Sequence, residues 1–347
     1  MQSKINLSKD DYKQKKLQSK EFEKLITGRV GFTRSLEIQD CARVLDFISD
    51  KEFEKHKVWR LFTCKHPFCP MCVWRKARKD SMKLSVIMQW IEEKYDKEFI
   101  FLTLTPGSRV RGDDLHDRIT HLQDSFQKMI QRKEIKQVMK GYARKLEVVY
   151  DNNKKITQKM YEQRKEYYDQ RGLMVGFDNP NYDTYHAHFH VIIAVNKSYF
   201  NKADSYIKQQ RWLELWRQAT GNDEITQVDV RKVKKGNGGD AKEIAKYSAK
   251  SGEYLVSQEV FDTFRQAMHR RRRIVFSGLF KDGAKLYENG DLNYLLPEDE
   301  TEYEYMLKYA WNNNNDYDSI EVRALTDEEK EEVNGGKIED AEVESNE

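Results

Sequence analysis

Three groups of residues in this chain could do chemistry. The first is CKHPFCPMC, which holds Cys64, Cys69 and Cys72, with Cys41 upstream. A Cys-x-x-Cys knuckle brings two thiolates to one ion, and tetrahedral Zn²⁺ takes four ligands. Cys41 or His66 could be the fourth, and Cys41 is favoured as the one other cysteine in the chain. Buried core cysteines are the plainer interpretation. Three cysteines within nine residues, with prolines shaping the turn, argue instead for a structural zinc site.

The second group is the alternation His186, His188, His190 in HAHFHVIIAV. Side chains alternate across a strand, so all three imidazoles share one face. Three imidazoles make a poor core, because each needs a hydrogen-bond partner when buried. His188 and His190 can share one divalent ion. A neighbouring antiparallel strand, YARKLEVVY, can add the carboxylate of Glu147, whose charge between Leu146 and Val148 is costly unless paired or metal-bound. Asp183 and Asp229 are weaker candidates. An open N/N/O site suits Mg²⁺ or Mn²⁺ acting on a phosphate, with Zn²⁺ also possible chemically.

The third group is EIAKYSAKSGEY, where Glu243, Tyr247, Lys250 and Tyr254 form one helical stripe beside a small-residue face. Tyrosine can act as a covalent nucleophile if a polarised phosphate or a cation such as Lys250 assists it. Taken alone, the plainer assignments are packing for Tyr247, a capping box for Glu243 behind Asp240, and a surface pair for Lys250.

These groups need elements to position them. The pattern predicts a helix over 80–96, a strand at 98–105, a helix within 112–139, and strands at 142–150 and 186–195. A polar, tyrosine-rich insertion occupies 151–182. A helix follows over 199–219, with Trp212 and Trp216 read as core, then a strand at 225–233 and the tyrosine helix at 240–255. The order β-α-β-β-α-β is the ferredoxin-like, split βαβ pattern of an α+β protein: an antiparallel sheet with helices on one face.

The net charge of +3 over 347 residues conceals an uneven distribution. From Tyr287 onward there are 20 acidic and 4 basic residues, which leaves 57 basic and 38 acidic residues before it. A basic body points to a polyanionic partner such as nucleic acid. Arg75, Lys76, Arg78 and Lys79 beside the knuckle, and Arg270, Arg271, Arg272 and Arg273 in HRRRR, are candidate phosphate contacts. The expected organisation is a basic mobile arm over 1–35, a zinc subdomain over 36–79, a catalytic body over 80–285 and an acidic, largely disordered tail over 286–347. Apolar runs are too short to span a bilayer, and the N-terminus lacks the apolar core of a secretory signal. A cytoplasmic protein without a membrane partner is expected.

Together FLTLT (101–105), HAHFH (186–190) and YSAK (247–250) resemble the three motifs of HUH endonucleases, and specifically the rolling-circle plasmid replication initiators of Gram-positive bacteria. The knuckle, WLELW (212–216) and RRRRIVFSGLFKD also resemble that family, over residues 36–285. The resemblance implies a five-stranded antiparallel sheet and a metal on His188, His190 and Glu147. It implies Tyr247 as the nucleophile, Lys250 as its assisting cation and Glu243 as a residue of termination. His186 stands where many relatives carry another residue. The implied partners are plasmid origin DNA and the host helicase and polymerase, with the protein acting as a monomer or a dimer. Two other classes compete: a single-tyrosine transposase or relaxase on the same fold, and a zinc-containing DNA-binding regulator without catalysis.

Overall fold

The computed structural model describes residues 9–201, 206–233 and 252–334. The protein is a mixed α+β chain with antiparallel strand pairs. It divides into two compact units, one of Met1–Lys97, Lys234–Leu255 and Gly278–Glu347, the other of Glu98–Val233 and Val256–Ser277. Among the described residues no helix is long and apolar enough to cross a membrane.

The first unit opens with helix α1 (Lys9–Ile26), which buries Tyr12, Ser19, Phe22 and Ile26 on one stripe. This stripe packs on α3 (Pro70–Tyr95). The segment expected to be a mobile arm is therefore anchored from Lys9 onward. Its apolar residues are few, but their spacing brings them to one side of a helix. A short α2 (Phe32–Asp40) leads to strands β1 (Val44–Ser49) and β2 (His56–Leu61). Helix α3 starts on Pro70, whose missing N–H costs nothing at that position, and ends at Asp96 in the left-handed region.

As far as Asn334 the acidic tail departs from the expectation of disorder. Tyr305–Trp311 and Tyr317–Ala324 are the strands β8 and β9, and they complete a four-stranded sheet in the order β2-β1-β8-β9. Phe47 faces Leu307, which faces Val322. Ile48, Tyr303, Met306, Leu325 and Val333 form a core, with Trp59 packed against it. Helix Asp327–Val333 starts from a capping box made by Thr326 and Glu329. Averaging charge over the segment hid the apolar alternation in YEYMLKYAW.

The second unit is built on the strands β3 (Lys97–Leu104), β4 (Met139–Asp151), β5 (Thr184–Asn196), β6 (Asp229–Lys232) and β7 (Ile274–Gly278). They form one sheet in the order β6-β3-β5-β4-β7. Helix α4 (Leu115–Ile130) lays Phe126 against Tyr142 and Phe189, and the Arg144 guanidinium sits over the Phe126 and Phe189 rings. After α5 (Lys133–Val138), the insertion carries α6 (Gln158–Gln163) and α7 (Lys165–Asp169). Helix α8 (Gln209–Thr220) buries Trp212 and Trp216 in the core, and the Trp216 Nε1–H donates to the Thr105 carbonyl at 2.6 Å.

Candidate metal centres

Strands β4 and β5 pair antiparallel with Lys145 opposite His190, Glu147 opposite His188 and Val149 opposite His186. Alternation then puts Lys145 and Glu147 on the face that carries the three histidines, while Phe189 turns to α4. Glu147, His188 and His190 are buried and bring their ligand atoms within 4.8 Å of one another. Nε2 of His188 and Nε2 of His190 lie 2.7 and 2.9 Å from Glu147 Oε2. Ligands in cis positions around an ion at about 2.1 Å are about 3.0 Å apart, so each histidine stands from Glu147 at the spacing of adjacent ligands of one ion. Among the described residues Glu147 Oε1 and His188 Nδ1 have no hydrogen-bond partner. His190 Nδ1 lies 3.4 Å from Thr103 Oγ1, the kind of outer contact that fixes a ligating imidazole.

The electrostatics agree. Burial pushes the Glu147 carboxyl up, but hydrogen bonds from His188 and His190 outweigh it and hold the group at about 2. Burial, then the charges of His188, Arg109, Arg164 and Arg118, take His186 down to about 3. His186 stays outside the ligand trio. Asp183 pairs with Arg111 at 3.0 Å and accepts from Tyr150, and Asp229 pairs with Arg231 at 3.0 Å, so neither joins the trio. Lys145, 1% exposed, belongs to the same face. Sequence reasoning passed over it, although its place two residues before Glu147 was the signal.

In the first unit the sulfurs of Cys41, Cys64, Cys69 and Cys72 also lie within 4.8 Å of one another. The contacts Cys41–Cys69, Cys41–Cys72 and Cys64–Cys72 are each 3.6 Å. A tetrahedral zinc with Zn–S near 2.3 Å needs edges of about 3.8 Å, so the set fits that ion. Within the cluster the neighbouring thiols hold Cys69 far below the ordinary thiol range, while Cys41 and Cys72 are pushed above it. Around them, the Ser19 hydroxyl lies 3.6 Å from the Cys69 sulfur, and buried Lys16 donates to the carbonyls of Cys41 and Gln39. The alternative ligand His66 is engaged elsewhere: its Nδ1 accepts from the Phe68 N–H at 3.2 Å and its ring lies on Phe22.

Glu243, Tyr247 and Lys250 lie outside the described residues. Tyr254, the last of that stripe, is buried and donates to the Phe68 carbonyl at 2.9 Å, a packing role beside the knuckle. Of the basic residues near the knuckle, Lys76 and Lys79 are exposed, with Lys76 paired to Asp80. Arg75 donates to the Tyr12 hydroxyl. Arg78 is buried over the Trp74 ring, which removes it from the surface expected to meet phosphate. In the second cluster Arg270 and Arg272 are exposed. Arg271 is pinned to α4 through Gln123 and Thr120, and the Arg273 carbonyl accepts from the Leu146 N–H.

Comparison with known proteins shows the family of the chain. Residues 53–318 match the family model described as "Replication protein". A "Protein rep" of Staphylococcus aureus is 41% identical over 249 residues, 72% of this chain and 96% of that protein. One from Streptococcus pneumoniae serotype 2 is 31% identical over 287 residues, 79% of this chain and 80% of that protein. A third, from a Bacillus species, is 31% identical over 275 residues, 72% of this chain and 80% of that protein. No solved structure matches. With most of its length inside the matched region, the chain belongs to the replication protein family, the replication initiators its motifs resemble.

Proposed function

We propose that the protein starts rolling-circle replication of a plasmid by nicking one strand of its origin through a 5′-phosphotyrosine. The observation that carries this reading is the convergence of Glu147, His188 and His190 on one sheet face. Their donor set suits Mg²⁺ or Mn²⁺, which when bound would neutralise charge on the scissile phosphate. The phenol oxygen of Tyr247 attacks phosphorus in line as its proton leaves. The Tyr–O–P bond forms and the bond to the 3′ oxygen breaks, freeing a 3′-OH that primes the host polymerase. Lys250 offsets the developing negative charge. Glu243 then activates water to release the 5′ end, or the new 3′-OH re-attacks, and the cycle closes.

In this reading the five-stranded sheet is of the ferredoxin-like kind, the cysteine cluster holds a structural zinc, and the basic body carries origin DNA in the cytoplasm. The exposed Lys76, Lys79, Arg270 and Arg272 are the retained phosphate contacts. The deciding experiment incubates the protein and Tyr247→Phe with supercoiled origin plasmid and Mn²⁺, then looks for covalent protein–DNA on a denaturing gel. The wild type is expected to form the adduct, and the variant and an EDTA-treated sample are not. Nicking by Tyr247→Phe would overturn the nucleophile. A wild type that binds the origin without any adduct would favour the non-catalytic regulator.

A further inference from the structure

The buried stripe of α1 is Tyr12, Lys16, Ser19, Phe22 and Ile26. Its aromatic members pack: Tyr12 stands edge-on to Phe47 and Trp74, and Phe22 lies against the His66 ring. The two residues in the middle are polar, although Lys16 is only 4% exposed and Ser19 only 3%. Packing alone would favour apolar side chains at both places. They are three residues apart, so they lie on one side of the helix, and both meet the cysteine cluster.

The Lys16 ammonium donates to the Cys41 carbonyl at 2.6 Å and to the Gln39 carbonyl at 2.9 Å. The oxygen and sulfur of one cysteine are at most about 4.5 Å apart, so the ammonium stands within about 7 Å of the Cys41 sulfur. Both acceptors are neutral. Asp40, the carboxylate beside them in sequence, pairs with Arg43 at 3.2 Å, and among the described residues Lys16 makes no ion pair with a carboxylate. Capping the end of α2 accounts for the two carbonyl bonds. It does not account for burying the charge, which is costly unless an opposite charge lies close. Ser19 Oγ lies 3.6 Å from the Cys69 sulfur, accepts from the Met71 N–H at 3.3 Å and reaches the Lys15 carbonyl at 2.9 Å. The Cys64 N–H points at the Cys41 sulfur from 3.4 Å. Four thiolates around one Zn²⁺ leave two negative charges on the cluster. An ammonium, a hydroxyl and a backbone N–H beside the sulfurs are groups that offset them.

We propose that Lys16 and Ser19 are positioning residues of the zinc site. Lys16 offsets the charge of the zinc–tetrathiolate and holds the backbone of Cys41, while the Ser19 hydroxyl donates to the Cys69 thiolate. The proposal rests on the structural-zinc reading above. It gives the polar break in the α1 stripe a purpose: the bound metal, through these two side chains, fixes α1 on the cluster.

The test measures zinc affinity of the full chain and its variants by competition with a chromophoric chelator. Outer partners of metal ligands are worth about 10- to 100-fold in affinity, so Lys16→Met should weaken zinc binding by that factor and Ser19→Ala by about 10-fold. Lys16→Arg should restore most of the loss. Lys16→Gln keeps a donor for the carbonyls without the charge, and it should also lose about 10-fold. It serves in place of Lys16→Met if circular dichroism shows that variant unfolded. Cobalt(II) loading gives a second readout. Removing a positive charge near sulfur raises the energy of its electrons, so the thiolate-to-cobalt band of the uncharged variants should move to longer wavelength. A residue that only caps α2 or packs α1 would leave the band in place. Unchanged zinc affinity or an unmoved band in the folded uncharged variant overturns the proposal, with the zinc reading intact. A wild type that takes up neither metal overturns the zinc reading itself.

Discussion

Nε2 of His188 stands 2.7 Å from Oε2 of Glu147, directly across one rung of the antiparallel β4–β5 pair. The contact places a carboxylate and an imidazole at the separation that adjacent ligands of one ion adopt. Among the described residues the second oxygen of the same carboxylate has no hydrogen-bond partner. A buried oxygen left so is costly in a site that only packs, and useful in one that binds a cation.

Glu147→Gln keeps the shape and removes the charge, so Mn²⁺ affinity is expected to fall by about 100-fold or more. Thr103→Val, which removes only the contact to His190, should cost about 10-fold. Titration calorimetry with Mn²⁺ reads both. Equal affinity in wild type and Glu147→Gln would remove Glu147 from the ligand set.

The thiolate cluster separates the two candidate fourth ligands. Purified wild type and His66→Ala should each carry about one zinc per chain, and Cys41→Ser much less. Since a structural ion contributes its binding energy to folding, chelation should also make the first unit sensitive to protease. Full zinc content in Cys41→Ser, by elemental analysis, would contradict the four-cysteine site.

Gly283, in helix Leu279–Glu288, lies against α3, the helix that starts at the knuckle. A Cβ added there would come 2.8 Å from Ile87 Cγ2 and 3.1 Å from the Trp90 ring. Gly283→Ala is expected to destabilise the protein by about 1–3 kcal/mol through overpacking. Denaturant melts check this, and a variant as stable as wild type would mean that the two helices separate easily.

The Arg323 guanidinium beside Glu329, helped by the backbone N–H of Thr326, holds the Glu329 carboxyl at about 2, below its ordinary 4.5. A depressed carboxyl contributes stability that is complete above the unfolded value and is lost as pH falls through the folded one. The helix Asp327–Val333 should therefore loosen between about pH 4.5 and 2. An NMR titration of Glu329 with its midpoint near 4.5 would refute this.

The chemistry of this protein was legible where it depends on local spacing. Alternation alone aligned His186, His188 and His190, and the knuckle spacing alone joined Cys69 to Cys72. The β4 and β5 strands, the helical stripe of α4 and the core roles of Trp212 and Trp216 were readable for the same reason: each follows from a period of two or 3.6 residues. What required the tertiary structure was register and distance in the chain. Which carboxylate meets the histidines depends on which residue of β4 lies opposite His188, and a slip of one residue would turn Glu147 to the other face. Cys41 reaches the knuckle, and Arg78 leaves the surface, through packing that no local pattern encodes. The pairing of β1 with β8 joins Phe47 to Leu307 across most of the chain, so acidic composition outweighed a strand pattern that makes sense only beside its distant partner.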